Sequence, residues 1–158
     1  MLARLYDLSS SVPEVARLAA EGVVCRRAES YERSAVVSFA RRHFPHWEDE
    51  VAAAFGAVPP TVYISVEARA VQGFACYNVT RPDYFGPTGV LESQRGRGIG
   101  RALLLQCLEA LAAEGYAYAI IGGVGPAGFY ERAVGATLIP GSEKGIYRNR
   151  LAPPESRP

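Results

Sequence analysis

Two periods alternate along the chain: short apolar runs that read as strands, and longer stretches with apolar residues every three or four positions that read as helices. Residues 2–8 alternate and predict a first strand or edge. Ser9, Ser10 and Ser11 precede Val12-Pro13-Glu14, and serine ahead of a first-turn proline predicts a helix to about Glu21. Gly22 ends that helix, and the β-branched run at residues 23–27 predicts a strand. Ala35, Val36, Phe39 and Ala40 give residues 31–43 a helical face that Pro45 closes, and residues 47–55 read as a second helix directly after it. Beyond the breakers at residues 56–60, residues 61–66 and 72–79 read as an antiparallel hairpin, and the turn-bounded run 85–91 as a further strand. Residues 98–114 predict a helix apolar on most sides, packed deep against a sheet and ended by Gly115. A buried strand at 116–121, a short helix at 126–134 and a final strand pair at 136–139 and 145–150 complete an α/β pattern without repeat or internal linker.

Composition narrows this little. A chain of 158 residues fits one domain able to bury a core without crosslinks, and 17 basic against 16 acidic side chains give no field that would draw nucleic acid. Cys25, Cys76 and Cys107 lie far apart inside apolar runs, which predicts buried free thiols rather than a disulfide framework. No stretch has the length needed to cross a bilayer and no basic-then-apolar leader opens the sequence, so a cytoplasmic protein without a membrane partner is expected. The tail at 152–158 is proline-rich and expected to be disordered.

The distinctive chemistry lies in Gln94-Arg95-Gly96-Arg97-Gly98-Ile99-Gly100-Arg101-Ala102, between the strand at 85–91 and the deep helix. Glycines let the backbone curl and approach a ligand closely, and the free N–H groups and positive end of the following helix attract anions. Three arginines add full charges. The dinucleotide fingerprint does not fit, because its third glycine position is Arg101 and no acidic residue follows at a strand end about twenty residues on. A Walker loop does not fit either, since no Gly-Lys-Ser or Gly-Lys-Thr occurs.

The loop resembles that of the GCN5-related N-acetyltransferase superfamily: arginine or glutamine, two residues, glycine, one residue, then glycine or alanine, supplied here by Arg95, Gly98 and Gly100. Val90 stands where that superfamily has an apolar residue five positions before the arginine, and Phe129-Tyr130-Glu131-Arg132 is similar to its late aromatic-tyrosine helix. Three departures accompany the match. Glu92 replaces a frequent proline, Gly135 comes one residue later than usual, and Gly123 occupies the place of a cofactor-contacting asparagine. The resemblance spans about residues 23–150. It implies a single domain over 1–151 with a mixed, mostly antiparallel central sheet flanked by helices, and makes residues 1–22 an N-terminal extension.

It further implies acetyl-CoA as co-substrate, with its pyrophosphate on Arg95, Gly96, Arg97, Gly98, Ile99, Gly100 and Arg101, and its pantetheine arm along Thr88, Gly89 and Val90 as an added strand. The acceptor implied is a primary amine of a small molecule or peptide that attacks the thioester directly, with Tyr130 giving a proton to the departing thiolate. Glu67, Glu92 and His43 are candidates for the base; each is also accounted for as surface charge, turn residue or helix-end contact, and a water chain is a further route. Cys107 falls mid-helix and reads as a core thiol, not a nucleophile. Phe44 and Trp47 with Glu48, Asp49 and Glu50 read either as an acceptor pocket or as a Trp-anchored corner carrying a solvated charge run. His43 and His46 lack partners for a metal site, so no metal is expected. The alternative function is a non-catalytic acyl-CoA-binding sensor or docking module, a longer acyl donor differs only in the room near Thr88 and Gly89, and homodimerisation is compatible with the resemblance.

Overall fold

The computed structural model describes residues 1–151, so the expectation for the tail at 152–158 lies outside the described residues. Six strands, β1 (Leu2–Arg4), β2 (Val23–Arg27), β3 (Val62–Glu67), β4 (Ala70–Tyr77), β5 (Tyr84–Val90) and β6 (Tyr118–Ile121), form one sheet in the order β1-β6-β5-β4-β3-β2. Every neighbouring pair is antiparallel except β5 and β6, which run parallel. Five helices flank it: α1 (Val12–Ala20), α2 (Arg33–His43), α3 (Glu48–Ala54), α4 (Ile99–Ala113) and α5 (Ala127–Val134).

The two sheet faces carry separate cores. Helices α1, α4 and α5 cover one face, where Leu103, Leu104, Cys107, Leu108 and Leu111 of α4 are fully buried against Ala75, Tyr77 and Phe85. Helices α2 and α3 cover the other, with Val36, Ala40, Val51 and Ala54 packed on Ile64, Phe74 and Cys76. The all-round apolar character of residues 98–114 is explained by burial, since nine residues of α4 are buried. All three cysteines are free and buried.

Two expectations are corrected, those for the first strand and for the final strand pair. The first strand stops at Arg4 and continues as a 3-10 turn at Leu5–Asp7, which carries the chain off the sheet edge toward α1. Ser11 does not cap α1 with its side chain; its N–H and hydroxyl both donate to Glu109 of α4, at 2.6 and 2.5 Å, so a tertiary carboxylate holds the helix start. The expected final strand pair is absent among the described residues. Thr137 makes one antiparallel bridge to Leu2, and Gly145–Asn149 forms a 3-10 helix. The place beside β6 is filled by β1, through Leu2–Ile120, Ala3–Ala119 and Arg4–Tyr118, so residues 1–22 supply a strand of the sheet and the helix α1 that covers it.

Candidate active site

The site is built on β5. Its register with β4 pairs Tyr77 with Phe85 but Ala75 with Thr88, so two residues, Gly86 and Pro87, stand opposite Cys76 alone. Such a bulge reverses which side chains face which way. Phe85 accordingly packs in the core beneath α4 and α5, while Gly89, an even number of residues further on, faces the opposite side. Pro87 lacks an N–H and is tolerated here because the ladder is already interrupted.

Beyond the bulge β5 has a free edge. Its pairing with β6 consists of Tyr84–Ile120 and Phe85–Ile121 and goes no further. The N–H of Leu91 donates to Gln72 O at 2.9 Å, which makes Leu91–Gln72 a hydrogen-bonded pair. In an antiparallel ladder such pairs alternate, so Thr88 and Val90 turn their N–H and C=O groups away from β4, toward the side β6 has left. The strands part like a V, and one arm carries unpaired backbone groups.

At the open end of the V the chain enters the glycine loop. Gly96 and Gly98 take φ of +81° and +88°, conformations that a side chain resists, and Gly98 turns the backbone into α4. No side chain caps α4. Its first internal hydrogen bond runs from Ala102 N–H to Gly98 O, which leaves the N–H groups of Ile99, Gly100 and Arg101 free. A cleft of about 300 Å³ lies here, lined by Val90, Gln94, Arg95, Gly96, Gly98, Ile99, Gly100, Arg101 and Phe129.

The residues expected at the cofactor site take different places around the cleft. Arg97 is turned away from the cleft: its guanidinium lies 3.2 Å from Glu67 and 3.8 Å from Glu21 and hydrogen-bonds Gln94, and these partners explain its direction. Gly89 gives close approach to an aromatic ring, not to the open edge, because a Cβ there would sit 2.9 Å from Phe44. Thr88 contributes backbone; its hydroxyl donates to Phe74 O. Among the described residues, Arg95 has no acidic partner within ion-pair distance, while Arg101 lies 3.5 Å from Glu14. Gln94 and Phe129 line the cleft although no phosphate-loop pattern named them. Phe129 lies against the loop, 3.8 Å from where a Cβ on Gly100 would stand, a proximity that only the docking of α5 reveals.

Tyr130 stands at the base of the V. Its ring packs edge-on against Phe85, the last residue of β5 paired to β6, with centroids 6.1 Å apart, and against Phe129 at 5.0 Å. Burial pushes its phenol above the ordinary value of 10.0, so it stays protonated through the neutral range. Its hydroxyl has no protein hydrogen-bond partner among the described residues.

The three candidate bases do not converge on Tyr130. Glu67 is paired with Arg97, Glu92 lies exposed in the 3-10 turn Glu92–Gln94, and His43 is an exposed ring tilted 5.0 Å from Phe39. Phe44 stacks on Trp47 at 5.7 Å and both meet Phe74 edge-on, so these aromatics anchor the corner between α2 and α3. Glu50 from the same corner accepts a hydrogen bond from Thr80 at 2.7 Å. Tyr147 lies beside Gly122 and the Tyr84 ring, and burial first and the Glu50 charge second raise its phenol. Glu50, Thr80, Tyr84 and Tyr147 thus meet where β5 and β6 part. The grouping joins residues nearly a hundred positions apart and leaves no local trace in sequence.

A splayed mixed sheet with a glycine loop leading into a buried helix offers an anion site beside an open strand edge. The chain belongs to the acetyltransferase (GNAT) family, whose model matches residues 26–136, and the co-substrate of that family is acetyl-CoA. Solved structures share the fold. The GCN5-related glucosamine N-acetyltransferase region of a fungal multi-domain GH3 β-N-acetylglucosaminidase aligns with TM-score 0.68 and 18% identity over 84% of this chain and 19% of that one. A GCN5-related N-acetyltransferase from Sphaerobacter thermophilus gives 0.57 and 20% over 72% and 41%. A GNAT family acetyltransferase from Brucella melitensis in complex with acetyl-CoA gives 0.53 and 18% over 70% and 80%. The chain therefore spans about a fifth of the fungal protein and two fifths of the Sphaerobacter one. A search of curated protein sequences found no significant match.

Proposed function

We propose that the protein transfers an acetyl group from acetyl-CoA to a primary amine of a small molecule or peptide by direct attack in a ternary complex. The observation that carries this reading is the edge of β5, unpaired among the described residues, running from the phosphate-type loop to a buried, protonated tyrosine whose hydroxyl has no hydrogen-bond partner among them. The residues suit the co-substrate. Free N–H groups at Ile99, Gly100 and Arg101 and the Arg95 guanidinium match a pyrophosphate, and the outward N–H and C=O of Thr88 and Val90 match the amides of pantetheine.

Acetyl-CoA supplies an activated acyl thioester. In this reading the acceptor's neutral nitrogen bonds to the acyl carbon, the C–S bond breaks, and Tyr130 Oη gives its proton to the departing sulfur, regaining one from water. Backbone N–H groups of the β5 edge hold the carbonyl oxygen as its charge grows. Proton removal from the attacking amine is assigned to water, since Glu67 is occupied by Arg97. Glu50, Thr80, Tyr84 and Tyr147 form the acceptor side, where a carboxylate beside aromatic rings suits a cationic amine.

Calorimetric titration with acetyl-CoA, followed by an amine panel scored by release of free CoA thiol, tests the proposal. Turnover that depends on Tyr130 is expected. Binding without turnover of any amine would instead favour a non-catalytic acyl-CoA sensor, and absence of binding would remove the cofactor assignment.

A further inference from the structure

Helix α1 lies outside the residues matched by the family model, yet it touches the glycine loop at three points. Arg17 donates to the carbonyl oxygen of Arg97 at 2.6 Å, inside the loop itself. A Cβ on Gly98 would fall within the Glu14 carboxylate and 2.6 Å from the Arg17 guanidinium, so α1 rests directly on the residue that starts α4. Glu14 is also 3.5 Å from Arg101 and 3.0 Å from Arg17. The placement is fixed, because Glu109 of α4 holds the start of α1 through Ser11.

The charge arrangement is unexpected for an anion site. Of the three loop arginines, Arg97 is neutralised by Glu67 and Arg101 faces Glu14, a carboxylate only 20% exposed. A partly buried negative charge this close to the α4 start opposes an anionic ligand and competes with it for Arg101.

We propose that Glu14 is the internal counter-anion of the cofactor loop: it holds Arg101 in the free protein and yields it to the cofactor's pyrophosphate, while Arg17 holds the loop backbone in its binding shape. Glu14 and Arg17 are positioning residues with opposite effects. Arg17 raises affinity by fixing the Arg97 carbonyl, and Glu14 lowers it, which loosens the hold on CoA after transfer. The inference rests on the assignment of the loop to the pyrophosphate.

The test is calorimetry of the full chain with acetyl-CoA at about 50 and about 500 mM salt, alongside thermal melts. Glu14→Gln, which keeps a hydrogen-bond acceptor for Arg17, is expected to tighten binding about three- to fivefold at low salt and less at high salt. Arg17→Met is expected to weaken it by a similar factor. Arg101→Met weakens binding, and in that background Glu14→Gln should give under half of its gain. General destabilisation moves both α1 variants in one direction, so opposite signs are the signature. Unchanged or weaker binding by Glu14→Gln, with Arg101→Met still weakened, overturns the counter-anion role and leaves the loop assignment standing. Binding by Arg101→Met equal to that of the unaltered protein overturns the loop assignment and the inference with it. Should Glu14→Gln fail to fold, Glu14→Asp, which shortens the reach to Arg101, is read in the same way.

Discussion

Gly96 and Gly98 offer a controlled comparison, because both have positive φ within the same turn while their surroundings differ. Alanine at either position adopts a left-handed conformation at a cost of about 1–2 kcal/mol. Nothing lies within 4 Å of a Cβ on Gly96, so that cost is the whole effect there. At Gly98 the same methyl displaces Glu14 and Arg17, which costs the hydrogen bond from Arg17 to Arg97 O. Arg17 is 44% exposed, so solvent screening keeps that loss small. Gly96→Ala is thus expected to destabilise by about 1–2 kcal/mol and Gly98→Ala by more than that in urea melts. The binding gap is wider. Shifting Gly98 moves the free N–H groups of Ile99 and Gly100, so acetyl-CoA affinity should fall at least about tenfold, or about 1.4 kcal/mol, against a smaller change for Gly96→Ala. Arg17→Met should cost little further stability in the Gly98→Ala background, the contact already being lost. Equal stabilities and affinities for the two alanine variants would refute the contact between α1 and the loop as an energetic link.

Tyr130→Phe should lower kcat by about a hundredfold or more while leaving acetyl-CoA affinity and the melting temperature nearly unchanged, since the hydroxyl has no hydrogen-bond partner among the described residues; unchanged kcat removes its role as proton donor. The raised phenol keeps its proton through neutral pH, so the alkaline loss of kcat assigned to Tyr130 is centred above the ordinary phenol value of 10.0. Burial pushes the Cys25 thiol from 9.0 to about 11, so above pH 9 the unfolded chain releases a proton that the folded chain retains. Stability from this group is complete below pH 9 and falls by up to about 1.4 kcal/mol per pH unit as pH rises toward the folded value. Cys25→Ala should show a shallower alkaline fall, and urea melts with the same slope for both proteins would contradict this. Phe44→Ala removes a half-buried ring from the aromatic corner and the cover of Gly89, so a loss of about 2–3 kcal/mol is expected in urea, with a shift of Trp47 emission as its stacked partner disappears.

What the sequence disclosed and what it hid divide by range. The strand at Val23–Arg27 and the helices α1, α4 and α5 were legible because period, breakers and caps are local signals. The glycine loop was legible for the same reason, its three glycines and the following apolar run being contiguous. The final strand pair was misread because residues 136–139 have strand character but meet an edge already occupied by β1, so only Thr137 finds a partner. Competition for an edge has no local signature. The direction of Arg97 was also hidden, because Glu67 and Glu21 reach it from other elements. Glu14, Arg17 and Glu21 do carry a trace, an i, i+3, i+7 charged stripe on one helix face, but the loop it would meet was not deducible.

The placement of β1 bears on the order in which the chain can assemble during synthesis. Its partners, Tyr118–Ile121 and Thr137, emerge from the ribosome more than a hundred residues after Leu2, so Leu2, Ala3 and Leu5 wait uncovered while β2 to β5 form. Closing so long a loop is slow compared with local pairing. The V beside β5 therefore gains its second arm only when β6 arrives, and a nascent chain stopped before Tyr118 holds a complete glycine loop but only one wall of the cleft. The second arm of the V is thus added late, after most of the sheet has formed.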